Sequence, residues 1–111
     1  KTSLIMRFVE NTFSESPPID TESKTKVVGF PGKIVSLLVW DASTVTRFRT
    51  MNVGSTYRGV RGCIFVLDIT DSDALKNLQN RLEEVERYVC QEPLKKIVVG
   101  NKCDLENERK I

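Results

Sequence analysis

Histidine is absent from all 111 residues of this chain, which removes any mechanism that needs an imidazole base or a histidine-bound metal. Cysteine is scarce. Cys63, Cys90 and Cys103 are odd in number and far from the short spacings of zinc or redox motifs, a usage that suits a reducing compartment. The longest apolar runs are only a few residues, against the roughly 20 needed to cross a bilayer, and no signal-peptide pattern opens the sequence. A strong charge of either sign is also missing: 17 basic and 15 acidic residues leave a net +2, with no basic block. Nothing in that balance points to nucleic acid. The expectation is a soluble, cytoplasmic protein.

What is present suits a folded core, since 40% of the residues are hydrophobic and 29% charged. The length allows one domain at most. Lys1 opens a helical pattern with no strand before it, and Ile111 follows a polar segment that has just left a strand. A piece of a larger domain is therefore expected.

Helix and strand patterns alternate along the chain. Thr2 to Glu10 places Leu4, Ile5, Phe8 and Val9 on one helical stripe. "NTFSESPPIDT", residues 11–21, holds Pro17 and Pro18 and reads as a long loop. Lys24 to Phe30 and Lys33 to Trp40 flank Pro31 and Gly32, a tight-turn pair, and predict a β-hairpin. "CIFVLDIT" from Cys63 is apolar at nearly every position, the pattern of a strand covered on both faces. Ser72 to Cys90 repeats Leu75, Leu78, Leu82, Val85 and Val89 at helical spacing, with Asp71 or Ser72 as N-cap. "KKIVVGNKCDL" predicts another buried strand over Ile97 to Val99. Strand, helix and strand in that order imply a crossover and a parallel sheet, hence an α/β fold.

Ligands of open parallel sheets bind where the strands end. The residues leaving those ends are Asp41, Asp68 and the segment Asn101 to Asp104. On residues alone, "NKCD" also fits a polar turn, Phe13 a packing side chain, and Lys1 with Thr2 a frayed helix start. Asp68 and Thr70 read as a strand end turning into a capped helix, and Cys63 as a small core residue.

Taken together, "KTS" opening an amphipathic helix, "VWD" ending a strand, "RFRT", "STYRG", "FVLDITD" and "VVGNKCDL" resemble, in order and approximate spacing, the Rab branch of the Ras-like small GTPases. The resemblance spans essentially the whole chain. It implies a three-layer α/β fold of the phosphate-loop GTPase type, a mostly parallel sheet flanked by helices. Against that pattern residues 1–111 are expected to be a partial domain, incomplete at both ends: without the first strand and most of the phosphate loop, and without the C-terminal strand and helix.

The resemblance also implies roles. Asp104 would accept two hydrogen bonds from the guanine edge, Asn101 would brace the loop, and the stem of Lys102 would cover one ring face. Phe13, eleven residues after Thr2, stands at the spacing of an aromatic against the base. Lys1 and Thr2 match the end of G-x-x-x-x-G-K-[ST], where the lysine reaches phosphates and the hydroxyl binds Mg²⁺. Asp41 would act on Mg²⁺ through water. Thr21 is the nearest candidate for the metal-binding threonine of the first switch, one residue out of register, because the segment is about two residues short.

The departures are in "VWDASTVTRFRT", residues 39–50. Thr44 stands where the family has the glycine that meets the γ-phosphate, and Val45 where it has the glutamine that orients the attacking water. Valine neither donates nor accepts a hydrogen bond, so no residue of this chain is assigned a catalytic role. The implied function is a switch in vesicle traffic that binds GTP or GDP with Mg²⁺ and hydrolyses slowly; a pseudo-GTPase interaction module, or a truncated product without function, is the alternative. Effector and exchange proteins would meet it on a surface with Trp40, Phe48 and Tyr57. Membrane contact would come only through a prenylated C-terminal tail outside these residues, leaving a full-length form peripheral on vesicles.

Overall fold

The structure is a computed structural model, and it describes residues 1–15, 23–41, 60–88 and 94–111. The chain divides into two compact units, Lys1–Met51 and Asn52–Ile111, and each is taken by itself.

In the first unit α1 spans Thr2–Glu10. The Lys1 carbonyl accepts from the amides of Leu4 and Ile5 at 3.0 and 3.2 Å, starting the helix. Asn11 ends it in the left-handed region, φ 53°, with its amide on the Arg7 carbonyl. Asparagine tolerates that conformation better than most residues. The covered stripe differs from the expected one: Thr2, Ile5, Met6 and Val9 are half-buried, while Leu4 and Phe8 are exposed. Both sets obey helical spacing, so sequence periodicity alone does not separate them. Met6 is half-buried where Phe8 was expected to be, and the ammonium of Lys26 lies 5.9 Å from the centroid of the exposed Phe8 ring.

The hairpin forms as expected. β1 (Ser23–Phe30) and β2 (Lys33–Trp40) pair antiparallel, with Phe30 opposite Lys33 and Ser23 opposite Trp40. Between them Gly32 adopts φ 76°, a conformation glycine enters without a Cβ penalty. The pleat sorts side chains by parity. Lys24, Lys26 and Val28 lie on one face with their partners Val39, Leu37 and Val35. There Lys24 reaches Glu10 of α1, Nζ to Oε1 2.5 Å, so the lysine stems cover apolar surface while their charges find partners. The opposite face carries Val27, Ile34, Leu38 and Trp40, all exposed, Ile34 at 82%.

In the second unit β3 (Gly62–Asp68) and β4 (Lys95–Asn101) pair parallel, with Gly62 opposite Lys95 and Asp68 opposite Asn101. Between them in sequence runs α2 (Ala74–Tyr88). The parallel pairing confirms the expected crossover order, and β4 is longer than the Ile97–Val99 core of its pattern. α2 begins after a turn in which Asp71 accepts from the Asp73 amide through Oδ1 at 2.9 Å, a bond made ahead of the helix rather than to its first-turn amides. Ala74 and Val85 are buried and Leu78 and Leu82 half-buried, whereas Leu75, expected in the stripe, is exposed at its edge. Val89 lies outside the described residues, as does Cys90.

Ion pairs finish the helix. Arg81 meets Glu84 within it, and Lys96 of β4 meets Glu86 at 2.9 Å. The strands are less covered than their apolar run predicts: Ile64, Ile97 and Val98 are each more than half exposed. Ile97 and Val98 are consecutive and so point to opposite sides of β4, which leaves both faces of this strand partly open. Cys63 is half-buried, and burial pushes its thiol pKa up, against the opposing pull of Lys96. A structural thiol of this kind is unreactive.

Candidate functional site

Two clusters of expected site residues are described, one in each unit. The first is built on the start of α1 and the end of β2. Asp41 directly follows β2 and is buried, 4% exposed, the only buried charged side chain among the described residues. A carboxylate in such a position needs hydrogen-bond partners. Thr2, the first residue of α1, donates its hydroxyl to Asp41 Oδ2 at 2.5 Å. Ile5, Met6, Ser23, Lys24 and Val39 complete a small cleft around the pair. The rotated stripe of α1 explains the contact, because Thr2 shares its face with Ile5, Met6 and Val9.

This arrangement fits a hard cation. Both groups are oxygen donors, the set that Mg²⁺ prefers, and Mg²⁺ commonly takes one or two protein oxygens, with water and phosphate supplying the rest. A hydroxyl that donates its hydrogen, as Thr2 does to Asp41, can still act as an oxygen ligand. The first turn of α1 has amides with no partner inside the helix, and these favour anions. Lys1 is exposed at the helix start. Phe13, past the end of α1, is 65% exposed. Thr21, the third expected metal ligand, lies outside the described residues, as do Pro18, Asp20, Thr44, Val45, Phe48 and Tyr57.

The second cluster stands at the ends of β3 and β4. Asn101 closes β4, half-buried, and its carbonyl accepts from the Ile69 amide at 3.2 Å. Lys102 then enters the left-handed region, φ 69°, and opens a 3₁₀ segment, Cys103–Glu108, through a bond from the Leu105 amide to its own carbonyl at 2.9 Å. That reversal puts Asp104 on the first turn of the segment, exposed. The segment leaves by a bond from the Lys110 amide to the Ile69 carbonyl at 2.8 Å, so Ile69 holds both ends of the loop. Cys103 is exposed within it.

One member of this cluster is a residue whose sequence context predicts plain strand-end structure. Asp68, opposite Asn101 in the ladder, accepts from the Thr70 amide at 2.9 Å and hydroxyl at 2.6 Å on Oδ1, the turn its sequence implied. Its other oxygen, Oδ2, meets the Lys102 ammonium at 2.5 Å. Lys102 and then Thr70 hold the Asp68 carboxyl well below the usual range, at about 2. Asp68 in turn raises the pKa of Lys102. A sequence signal for this pair exists: two parallel strands that end together bring "LDIT" beside "GNKC", with an acid and a base one residue apart in register.

The profile of the Ras family matches residues 1–111. Among curated proteins, the chain is 38% identical over 111 residues to Ras-related protein Rab-1D of Dictyostelium discoideum, covering 98% of this chain and 53% of the relative. It is 39% identical over 111 residues to Ras-related protein RIC1 of Oryza sativa subsp. japonica, covering 98% and 54%. With GTP-binding protein YPTM1 of Zea mays the identity is 37% over 113 residues, covering 100% and 53%. The chain spans about half the length of the curated relatives it matches.

Proposed function

This chain belongs to the Ras family, and on that premise we propose that it acts as a Rab-like guanine-nucleotide switch in intracellular vesicle traffic, holding GDP or GTP with Mg²⁺ and hydrolysing GTP slowly. The observation that carries the reading is the placement of Asn101, Lys102 and Asp104 on a backbone reversal at the carboxyl end of a parallel strand, where such sheets bind ligands. The name of the maize relative, a GTP-binding protein, supports it.

In this reading Asp104 selects guanine, because its two oxygens match the paired N–H donors of that base and adenine presents none there. Asn101 braces the loop through its carbonyl. Lys102 lies against the ring, and Phe13 is the aromatic that meets the base. Lys1 binds phosphate oxygens. The chemistry a bound Mg²⁺ would supply is positive charge to offset what develops in phosphoryl transfer. Thr2 would ligate it through the hydroxyl oxygen, Asp41 would act on it through water while orienting Thr2, and Thr21 would complete the protein donors.

Hydrolysis is slow in this reading because the Val45 side chain has no hydrogen-bonding atom to align water and the β-branched Thr44 restricts the backbone where the family's glycine presents its amide. Losing one such transition-state donor typically costs about 3 to 4 kcal/mol. No helix among the described residues is long and apolar enough to cross a membrane. The reading places the protein on vesicle surfaces through a lipid anchor outside these residues.

The same two substitutions, with the exposed apolar face of the hairpin around Ile34, Leu38 and Trp40, favour a second reading. In it the chain is an interaction module of Rab shape whose state ignores the γ-phosphate, and effectors meet it at Trp40. The Asp104→Asn variant tests the guanine assignment. Under the first, GDP binding weakens and the preference for GDP over ADP shrinks by about 1 to 3 kcal/mol, the usual worth of one bidentate base contact. Unchanged discrimination sinks the guanine assignment.

A further inference from the structure

Lys102 is held by more than its own loop. Its ammonium sits on Asp68 Oδ2, and Asp68 is itself fixed by two bonds from Thr70 to Oδ1. The exit of β3 therefore grips the loop after β4 in three ways: Ile69 takes the Asn101 carbonyl, Ile69 gives its own carbonyl to Lys110, and Asp68 takes the Lys102 side chain. The first two are backbone bonds that set the loop's path. Only the third acts on a side chain of the base-reading motif.

We propose that Asp68 is a positioning residue for nucleotide binding: by pinning the Lys102 ammonium at the end of β3, it holds the lysine's aliphatic stem ready for the face of a purine ring. The proposal rests on the guanine-binding reading above. A lysine side chain free in water samples many rotamers and must be ordered when a ligand arrives; one already ordered spares that cost. The pair is poorly suited to stabilising the fold. Its side chains are 49% and 32% exposed, and ion pairs so wetted add little to stability. Its effect belongs in ligand affinity.

The substitutions divide cleanly. Asp68→Asn keeps Oδ1 for the Thr70 amide and hydroxyl and removes the charge that holds Lys102. Lys102→Met keeps an unbranched apolar stem and removes the ammonium. Asp68→Glu restores a carboxylate on a longer arm. GDP titration of the unmodified chain comes first. Asp68→Asn is expected to weaken GDP binding about 3- to 10-fold, the cost of ordering one long side chain on binding, with the thermal midpoint unmoved. In the Lys102→Met background the same change is expected to have no further effect, and Asp68→Glu to regain most of the loss.

Unchanged or tighter GDP binding by Asp68→Asn overturns the proposal, since tighter binding would make Asp68 a competitor for Lys102. An equal loss in both backgrounds also overturns it, by showing a role that bypasses Lys102. If Asp68→Asn lowers the midpoint, the glutamate variant decides: recovery supports positioning and persistent loss refutes it. An unmodified chain that binds no GDP brings down the guanine reading itself, and does so before any substitution is made.

Discussion

Thr2 and Asp41, 39 positions apart, are joined by a hydrogen bond of 2.5 Å from the threonine hydroxyl to the buried carboxylate. The bond fixes the direction of the hydroxyl proton. It is where an oxygen-seeking cation and the first turn of a helix would meet a phosphate.

Thr2→Ala is expected to cost about 1 to 3 kcal/mol of stability, the usual range for removing a bond to a charged group. It should also abolish most of the gain in GDP affinity that Mg²⁺ confers. Thr2→Ser keeps the hydroxyl and should keep both properties. Thermal unfolding and GDP titration with and without chelator measure the two effects; a Thr2→Ala protein with full Mg²⁺ dependence would remove Thr2 from the metal site.

Restoring Thr44→Gly together with Val45→Gln should raise single-turnover GTP hydrolysis in a version of the chain that carries a glycine-rich loop ahead of Lys1. One recovered transition-state donor is typically worth on the order of a hundredfold or more in rate. No gain would move the limit to the first switch, around Thr21.

Acid should dissolve the Asp68–Lys102 pair late. The folded carboxyl titrates at about 2, below the roughly 3.9 of an unfolded aspartate. The pair's contribution is therefore complete above pH ~4 and is lost as the pH falls toward ~2. Carboxyl chemical shifts followed by NMR should show Asp68 still ionised at pH 3, whereas in Lys102→Met its midpoint should rise. An ordinary midpoint in the unmodified chain would contradict the contact.

Much of the architecture was legible in the residues. The hairpin could be read because Pro31 and Gly32 interrupt two β-rich runs, and Gly32 takes the positive φ that the pair allows. The parallel pair followed from two apolar runs around an amphipathic helix. The rotation of α1 was not legible, because Leu4, Ile5, Phe8, Val9 and Thr2, Ile5, Met6, Val9 satisfy the same periodicity. Only contact with the hairpin chooses between them. Asp68 was read correctly in its turn with Thr70 and missed in its pairing with Lys102, a partner 34 positions away that register alone brings near. The proposed base-reading loop was the more legible candidate, since "NKCD" is four adjacent residues, whereas Thr2 and Asp41 are two residues that only folding joins.

The most direct measurement is isothermal titration of the folded chain with GDP and with a non-hydrolysable GTP analogue, each with Mg²⁺ and each against the matching adenine nucleotide. The account predicts that both guanine nucleotides bind, that chelating Mg²⁺ weakens them, and that the adenine nucleotides bind far more weakly. A folded chain that binds none of them, or binds adenine and guanine alike, would contradict it.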